Sequence, residues 1–337
     1  MAVSPLFLAP RAIPRLLQAC LVFSVIGFTT ILALVLLFRR QTQPWSTALD
    51  IHGTSGWNPR VAWILGVSNS MYAFTSTDAA IHIAEEMIYP ERRLPQVLNM
   101  TLAMGIGTAF PLLLAMMLRV SDMTAVANAD VPYVEAFRQI IHNDIATTIM
   151  MVWITLILFL AIIGQWVTVG RLAWAFARDG GLPYSQFFAQ INVRLGFPIR
   201  TTMTALLFSC SYGLLYLIST TAFNSIITSA VLFSNITYAA PQLLVALRGR
   251  QNVLPKHPHD LGRFGRSCNV LSPIFVVIIG VLICFPPELP VTKDNINYTP
   301  AIIVGFCLAI VAAWYMIGRN FRGPKIDWEI LKDTKFM

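Results

Sequence analysis

The chain's densest chemistry lies between Trp63 and Pro95, in a stretch poorly suited to carry it. It reads WILGVSNSMYAFTSTDAAIHIAEEMIYPERRLP. Its first half is apolar enough to enter a bilayer, yet Ser68, Asn69, Ser70, Thr75, Ser76 and Thr77 crowd the middle, and Asp78, His82, Glu85 and Glu86 follow. A carboxylate near the centre of a membrane helix costs about 2.5 to 3.5 kcal/mol on insertion scales, so such groups usually face a water-filled cavity or a pathway. The stretch therefore reads as a discontinuous helix lining a substrate route.

Asp78, His82 and Glu85 are spaced i, i+4, i+7, which predicts one shared helical face with Glu86 beside it. Two readings stand for them. In the plainer one, His82, Glu85 and Glu86 are solvated at a membrane mouth and pair with Arg92 or Arg93, while Asp78 is a buried structural acid. In the sharper one, Asp78 changes protonation or partner during a transport cycle, because a carboxylate at an aqueous and apolar boundary has its protonated form favoured.

The run before Asp78 matters through its backbone. Where a spanning helix unwinds, N–H and C=O groups come free, which is tolerable only if they line a cavity and meet a ligand, an ion or water. Tyr72, Ala73, Phe74, Thr75 and Ser76 would supply those groups, with Tyr72 and Phe74 closing over a small cationic or zwitterionic substrate. The plainer alternative makes them packing aromatics with hydroxyls bonded to the preceding turn.

Composition says what must position this stretch. With 56% hydrophobic residues, 12% charged residues and a mean hydropathy of +0.66, the chain is too apolar for a soluble domain. It reads as an all-α polytopic membrane protein. The net charge of +8 is then a matter of loops and not of nucleic acid. Cys20, Cys210, Cys268, Cys284 and Cys307 stand singly, without the spacing of a metal or redox site, and read as buried small hydrophobes. No HExxH occurs, and His257-Pro258-His259-Asp260 sits in a basic loop, so no metal site and no cofactor is expected.

Eight apolar runs are expected to cross the membrane, at about 16–38, 61–86, 98–118, 145–177, 201–218, 224–247, 271–286 and 299–318. Together they form a membrane domain over 16–318, between an N-terminal segment 1–15 and a polar tail 319–337. The uncharged stretch from Thr201 to Leu247 is more than twice as long as one crossing needs, so a break is placed at Ser219 to Asn224. Between the third and fourth runs, Tyr133, Val134, Phe137, Ile140 and Ile141 share a helical face behind Pro132, which predicts an amphipathic helix on the membrane surface. Eight crossings put both termini on one side. That side collects 18 Lys and Arg against 6 opposite, so both termini are expected to be cytoplasmic. Asn297-Tyr298-Thr299 is a glycosylation sequon on the outer side, too close to the last crossing to be modified.

Two long motifs carry a family resemblance. MYAFTSTDAAIHIAEEMIYPERRLP resembles the sixth-helix signature of the amino acid/choline/GABA permeases of the amino acid-polyamine-organocation superfamily, and GRLAWAFARDGGLPYS resembles the eighth-helix signature. SGWNPRVAWILG, FPPELPVT, NYTPAIIVG and RGPKID fall in the fitting order, so that residues 14 to 328 are covered, with a fungal flavour. The resemblance implies a partial leucine-transporter-like inverted-repeat fold holding the fifth to twelfth helices of the family pattern. It implies that backbone carbonyls of Tyr72, Ala73, Phe74 and Thr75 bind a substrate amino group, that Tyr72 gates the site, and that Asp78 senses protons. Arg178 to Gly181 would shape an intracellular gate. Ser76-Thr77 replaces the Gly-aromatic pair common in the family, and the first-helix carboxylate site has no counterpart among these residues.

Two functions compete on this reading. One is a secondary transporter for amino acids or related amines such as choline or GABA, working by alternating access with substrate at Tyr72–Ser76 and proton or other ion coupling at Asp78, His82 and Glu85. The other is a truncated, transport-inactive membrane protein acting as a remnant or partner of a full-length permease. No nucleophile–base pair or phosphate loop supports an enzyme. Expected partners are the lipid bilayer, a small amine or amino acid, and a second copy or a full-length permease, in a plasma or vacuolar membrane.

Overall fold

The computed structural model describes residues 4–8, 12–38, 42–46, 55–75, 77–254, 261–293, 295–318, 321 and 323. The chain is helical throughout its long elements, and the described residues hold no strand beyond an isolated bridge between Asn192 and Phe197. The principal helices are α1 (Ile13–Leu37), α2 (Pro59–Ser70), α3 (Pro90–Met117), α4 (Pro132–Ile141), α5 (Asp144–Arg178), α6 (Ile199–Ile218), α7 (Thr220–Arg248), α8 (Gly262–Leu282) and α9 (Thr299–Ile317). Seven of them, all but α2 and α4, are long and apolar enough to cross a membrane. The remaining expected crossing starts with α2 and is interrupted.

Local chemistry sets the helix ends. The Asn58 side chain accepts the Arg60 N–H at the start of α2, and the Ser219 hydroxyl accepts the Ala222 N–H at the start of α7. Ser219 alone separates α6 from α7, so the turn inside the uncharged stretch takes one residue. Gly249 and Gly180, with φ of 83° and 82°, close α7 and α5 in a conformation that side chains with a Cβ resist. After α5 the Gly180 N–H reaches Ala177 O and the Gly181 N–H reaches Phe176 O, so the RDGG motif is first of all a helix cap. A Cβ on Gly181 would lie 2.3 Å from the Phe176 ring.

The chain divides into two compact units. The first comprises residues 1–50, 99–169 and 192–197. Its core joins Ile31, Val35, Ala115, Val120, Phe137, Ile140, Ile141 and Met150, and Phe23 stacks on Trp153 at 4.3 Å. The apolar face of α4 belongs to this core. Ala136, Phe137, Ile140 and Ile141 are buried against protein while Tyr133 stays half exposed, so the face expected to lie on the membrane surface is taken up inside the unit.

The second unit comprises 51–98, 170–191 and 198–337. Within it α7 is central and packs against α6, α8, α9 and the turn after α2. Leu232, Ile279 and Ile283 form its small core. The loop from α8 to α9 is tied back firmly. The Asn297 amide donates to Ile283 O and Phe285 O, at 2.7 and 2.8 Å, and Thr299 is 1% exposed, which closes the sequon to a glycosylating enzyme.

The cysteines correct the sequence reading. Cys20 is buried, but Cys210, Cys268 and Cys307 are exposed and Cys284 is intermediate. A spanning helix carries apolar residues on every side, because its outer face meets lipid; apolarity there does not imply burial in protein. Leu217 at 79% and Leu308 at 66% exposure follow the same rule.

Candidate functional site

The interrupted crossing is built from small hydroxyl residues that compete with the helix for its own carbonyls. The Ser68 hydroxyl donates to Leu65 O at 2.6 Å, and Ser70 donates to Val67 O at 2.7 Å. The α-helix stops at Ser70, and a 3-10 turn takes Met71–Phe74. Thr75 is extended, with φ of −66° and ψ of 150°. A second 3-10 segment then runs over Thr77–Glu86. A 3-10 run of that length is uncommon, because its hydrogen bonds are poorly aligned, and such stretches often mark a hinge or strain. Side-chain bonding to the previous turn is a recognised cause of helix bending.

The five residues expected to hold substrate are not equivalent in the structure. The Tyr72 carbonyl accepts both the Thr75 N–H at 3.2 Å and the Thr75 hydroxyl at 2.6 Å, so it is occupied inside the turn and not offered to a ligand. The Tyr72 ring is 62% exposed and lines an open cavity of about 1240 Å³. Ala73, Phe74 and Thr75 are absent from that cavity's wall, although Phe74 is 38% exposed. Ser76 lies outside the described residues. The cavity wall comes from α2, the start of α7 and the loop between α8 and α9, and it includes Ser68, Asn69 and Ser70.

Below the break, Asp78 and His82 meet although their segment is 3-10 and not α-helical. His82 Nε2 lies 2.9 Å from Asp78 Oδ2, with the two side chains 24% and 19% exposed. The Tyr238 side chain, carried on α7, neighbours the same carboxylate. This pairing replaces the expected one between His82 and Arg92 or Arg93. The backbone of Glu85 and Glu86 continues the 3-10 segment, and their side chains lie outside the description. Asp78 is thus a carboxylate sheltered within a crossing, paired with His82 and neighboured by Tyr238 of a second element.

Tyr238 is the functional residue that the sequence concealed. It stands in an uncharged, apolar run, three residues after Asn235 and four before Gln242, and no spacing ties it to Asp78. At the other end, Arg178 lies over the Trp174 ring at 5.0 Å and Trp174 Nε1 donates to Ala189 O, so RDGG and its neighbours organise a loop and not the cavity. Among the described residues no group of His, Cys, Asp and Glu is arranged to hold a metal; His257-Pro258-His259-Asp260 falls outside them.

Comparison with known proteins identifies a family. Residues 7–307 match the amino acid permease family. A choline transporter of Saccharomyces cerevisiae is 31% identical over 317 residues, covering 92% of this chain and 56% of that protein. The 7-keto 8-aminopelargonic acid transporter of the same yeast is 26% identical, covering 90% of this chain and 59% of its own length. An amino-acid permease BAT1 homolog of Oryza sativa subsp. japonica is 28% identical over 273 residues, 78% of this chain and 52% of the relative. The chain thus spans little more than half the length of these relatives.

Proposed function

The chain belongs to the amino acid permease family, and from that premise we propose that it is a secondary transporter moving a small amine or amino acid by alternating access around the interrupted crossing. The observation that carries this reading is the break itself. A spanning helix gives way to 3-10 backbone over Met71–Phe74 and extended backbone at Thr75, directly beside an open cavity and one turn ahead of a sheltered carboxylate. Irregular backbone at membrane depth is tolerated only where it lines a cavity or is buried in protein.

In this reading the Tyr72 ring and the backbone carbonyls of Ala73, Phe74, Thr75 and Ser76 bind the substrate's amine. Asp78, His82 and Glu85 respond to the transported proton or ion. Tyr238 steadies Asp78 from α7. Choline-like amines are the first class to test, because the yeast choline transporter is among the relatives above 30% identity. Both termini are cytoplasmic, from the excess of Lys and Arg on their side, and the membrane is the plasma or vacuolar membrane.

The test is uptake of labelled choline, GABA, arginine and a neutral amino acid by permease-deficient yeast expressing this chain, with surface delivery checked by a tag. Uptake of one of them above the empty-vector level is expected. A chain that reaches the surface and moves none of the four would overturn the transport reading, in favour of an inactive partner of a full-length permease.

A further inference from the structure

The cavity beside the break has a wall of one electrostatic character. Its lining includes Asn69, Asn224, Ser225 and Thr228 as neutral polar groups, and among the described residues Glu288 is its one side chain with a formal charge. Among the described residues no Lys or Arg lines it. An anion therefore finds no counter-charge there, whereas a cation finds a carboxylate at the rim. Two rings are open to the same space: Tyr72, 62% exposed, and Phe285, 44% exposed. Their faces attract a cation that is too weakly hydrated to prefer water. Thr299, another wall residue, is 1% exposed and its hydroxyl has no hydrogen-bond partner among the described residues.

The Glu288 loop is a fixed structure. Trp57 Nε1 donates to Pro286 O, its ring meets Phe285 edge-on at 5.9 Å, and Asn297 bonds both Ile283 O and Phe285 O. The carboxylate is therefore carried on a loop that is held in place on both flanks. The cavity volume is several times that of a small quaternary ammonium ion, so a guest would enter with part of its water.

We propose that this cavity is a collecting site for organic ammonium ions, with Glu288 as counter-ion and Tyr72 and Phe285 as cation-binding rings. The site rests on the transport reading for its purpose, gathering substrate ahead of the broken crossing, and on its own geometry for binding. Selectivity follows from the wall. An ammonium compound is favoured over its neutral isostere, and a carboxylate without an amine is rejected.

Calorimetric titration of the purified full chain in lipid nanodiscs with tetramethylammonium chloride tests this, with sodium chloride at equal ionic strength as the blank. Tryptophan fluorescence followed in parallel reports the site through Trp57. Saturable binding is expected, accompanied by a fluorescence change that Trp57→Phe removes. Glu288→Gln weakens binding about fivefold, the scale of one exposed charge pair, while Glu288→Asp keeps most of it; choline chloride titrated alongside binds likewise, and its neutral isostere 3,3-dimethylbutan-1-ol binds the wild type more weakly than choline does and no more tightly than it binds Glu288→Gln. Equal affinity of wild type and Glu288→Gln for tetramethylammonium, or equal binding of the neutral isostere to the wild type, would overturn the site. Binding without uptake would uphold the cavity and remove only the transport reading; uptake without binding would do the reverse.

Discussion

Asp78 is the residue on which most of the chemistry converges, because it is a carboxylate within the broken crossing that meets side chains of two elements. His82 sits one turn along the same segment, 2.9 Å away, and Tyr238 reaches in from α7. Asp78→Asn keeps the shape and one acceptor but removes the charge. Uptake is expected to fall and its pH profile to flatten; an unchanged profile between pH 5 and pH 8 would show that Asp78 takes no part in coupling. Tyr238→Phe is the sharper probe, since it deletes a single hydroxyl. Removing a polar neighbour of a carboxylate costs about 1 kcal/mol, so uptake should drop roughly fivefold without loss of surface protein. The Asp78 and His82 pair was legible in the sequence from its i, i+4 spacing. Tyr238 was not, because a contact between distant helices leaves no periodic trace, and a tyrosine in an apolar run looks like packing.

At the scale of elements, caps and close approaches decide where helices stop, and charge misleads. The third crossing was expected from about 98, yet α3 begins at Pro90; the seventh was expected from about 271, yet α8 begins at Gly262. In both cases the helix continues outward through charged residues, Glu91, Arg92 and Arg93 in one, Arg263 and Arg266 in the other. Charge marks where a crossing leaves the bilayer and says nothing about where its hydrogen bonds end. By contrast the break in the second crossing was legible, because Ser and Thr at that density bond to their own backbone. The cap of α5 yields a prediction of sign. Gly181→Ala would put a Cβ 2.3 Å from the Phe176 ring, whereas a Cβ on Gly213, in α6, meets nothing within 4 Å. Overpacking costs about 1–3 kcal/mol, and a mid-helix Gly→Ala gains up to about 1 kcal/mol. Thermal melting of the detergent-solubilised protein should therefore fall by several degrees for Gly181→Ala and hold or rise for Gly213→Ala. Equal melting of the two variants would mean that the ring moves aside freely and that the cap is not constrained there.

The molecule as a whole is ordered by alternation across the bilayer, and this was the level most legible in the sequence. Apolar runs of spanning length need no partner to be recognised, because every backbone group is satisfied inside its own helix. Seven uninterrupted helices and one broken crossing place the loop between α5 and α6 on the side of the termini and the loop between α8 and α9 on the opposite side. In the proposed orientation the first of these sides, which holds the larger share of Lys and Arg, faces the cytoplasm. The exposed positions Gln190 and Thr292 lie in those two loops. In a background freed of the native cysteines, Thr292→Cys should react with a membrane-impermeant maleimide added to intact cells, and Gln190→Cys should react only after permeabilisation. The reversed pattern would turn the whole chain over and put Glu288 and its cavity on the cytoplasmic face, so that the same ammonium site would then serve release in place of capture. The same reversed pattern would also follow if the broken segment between α2 and α3 fails to cross, since removing one crossing shifts every later loop to the other side; an N-terminal tag reached only in permeabilised cells would identify that case, and one reached from outside would identify the inverted chain.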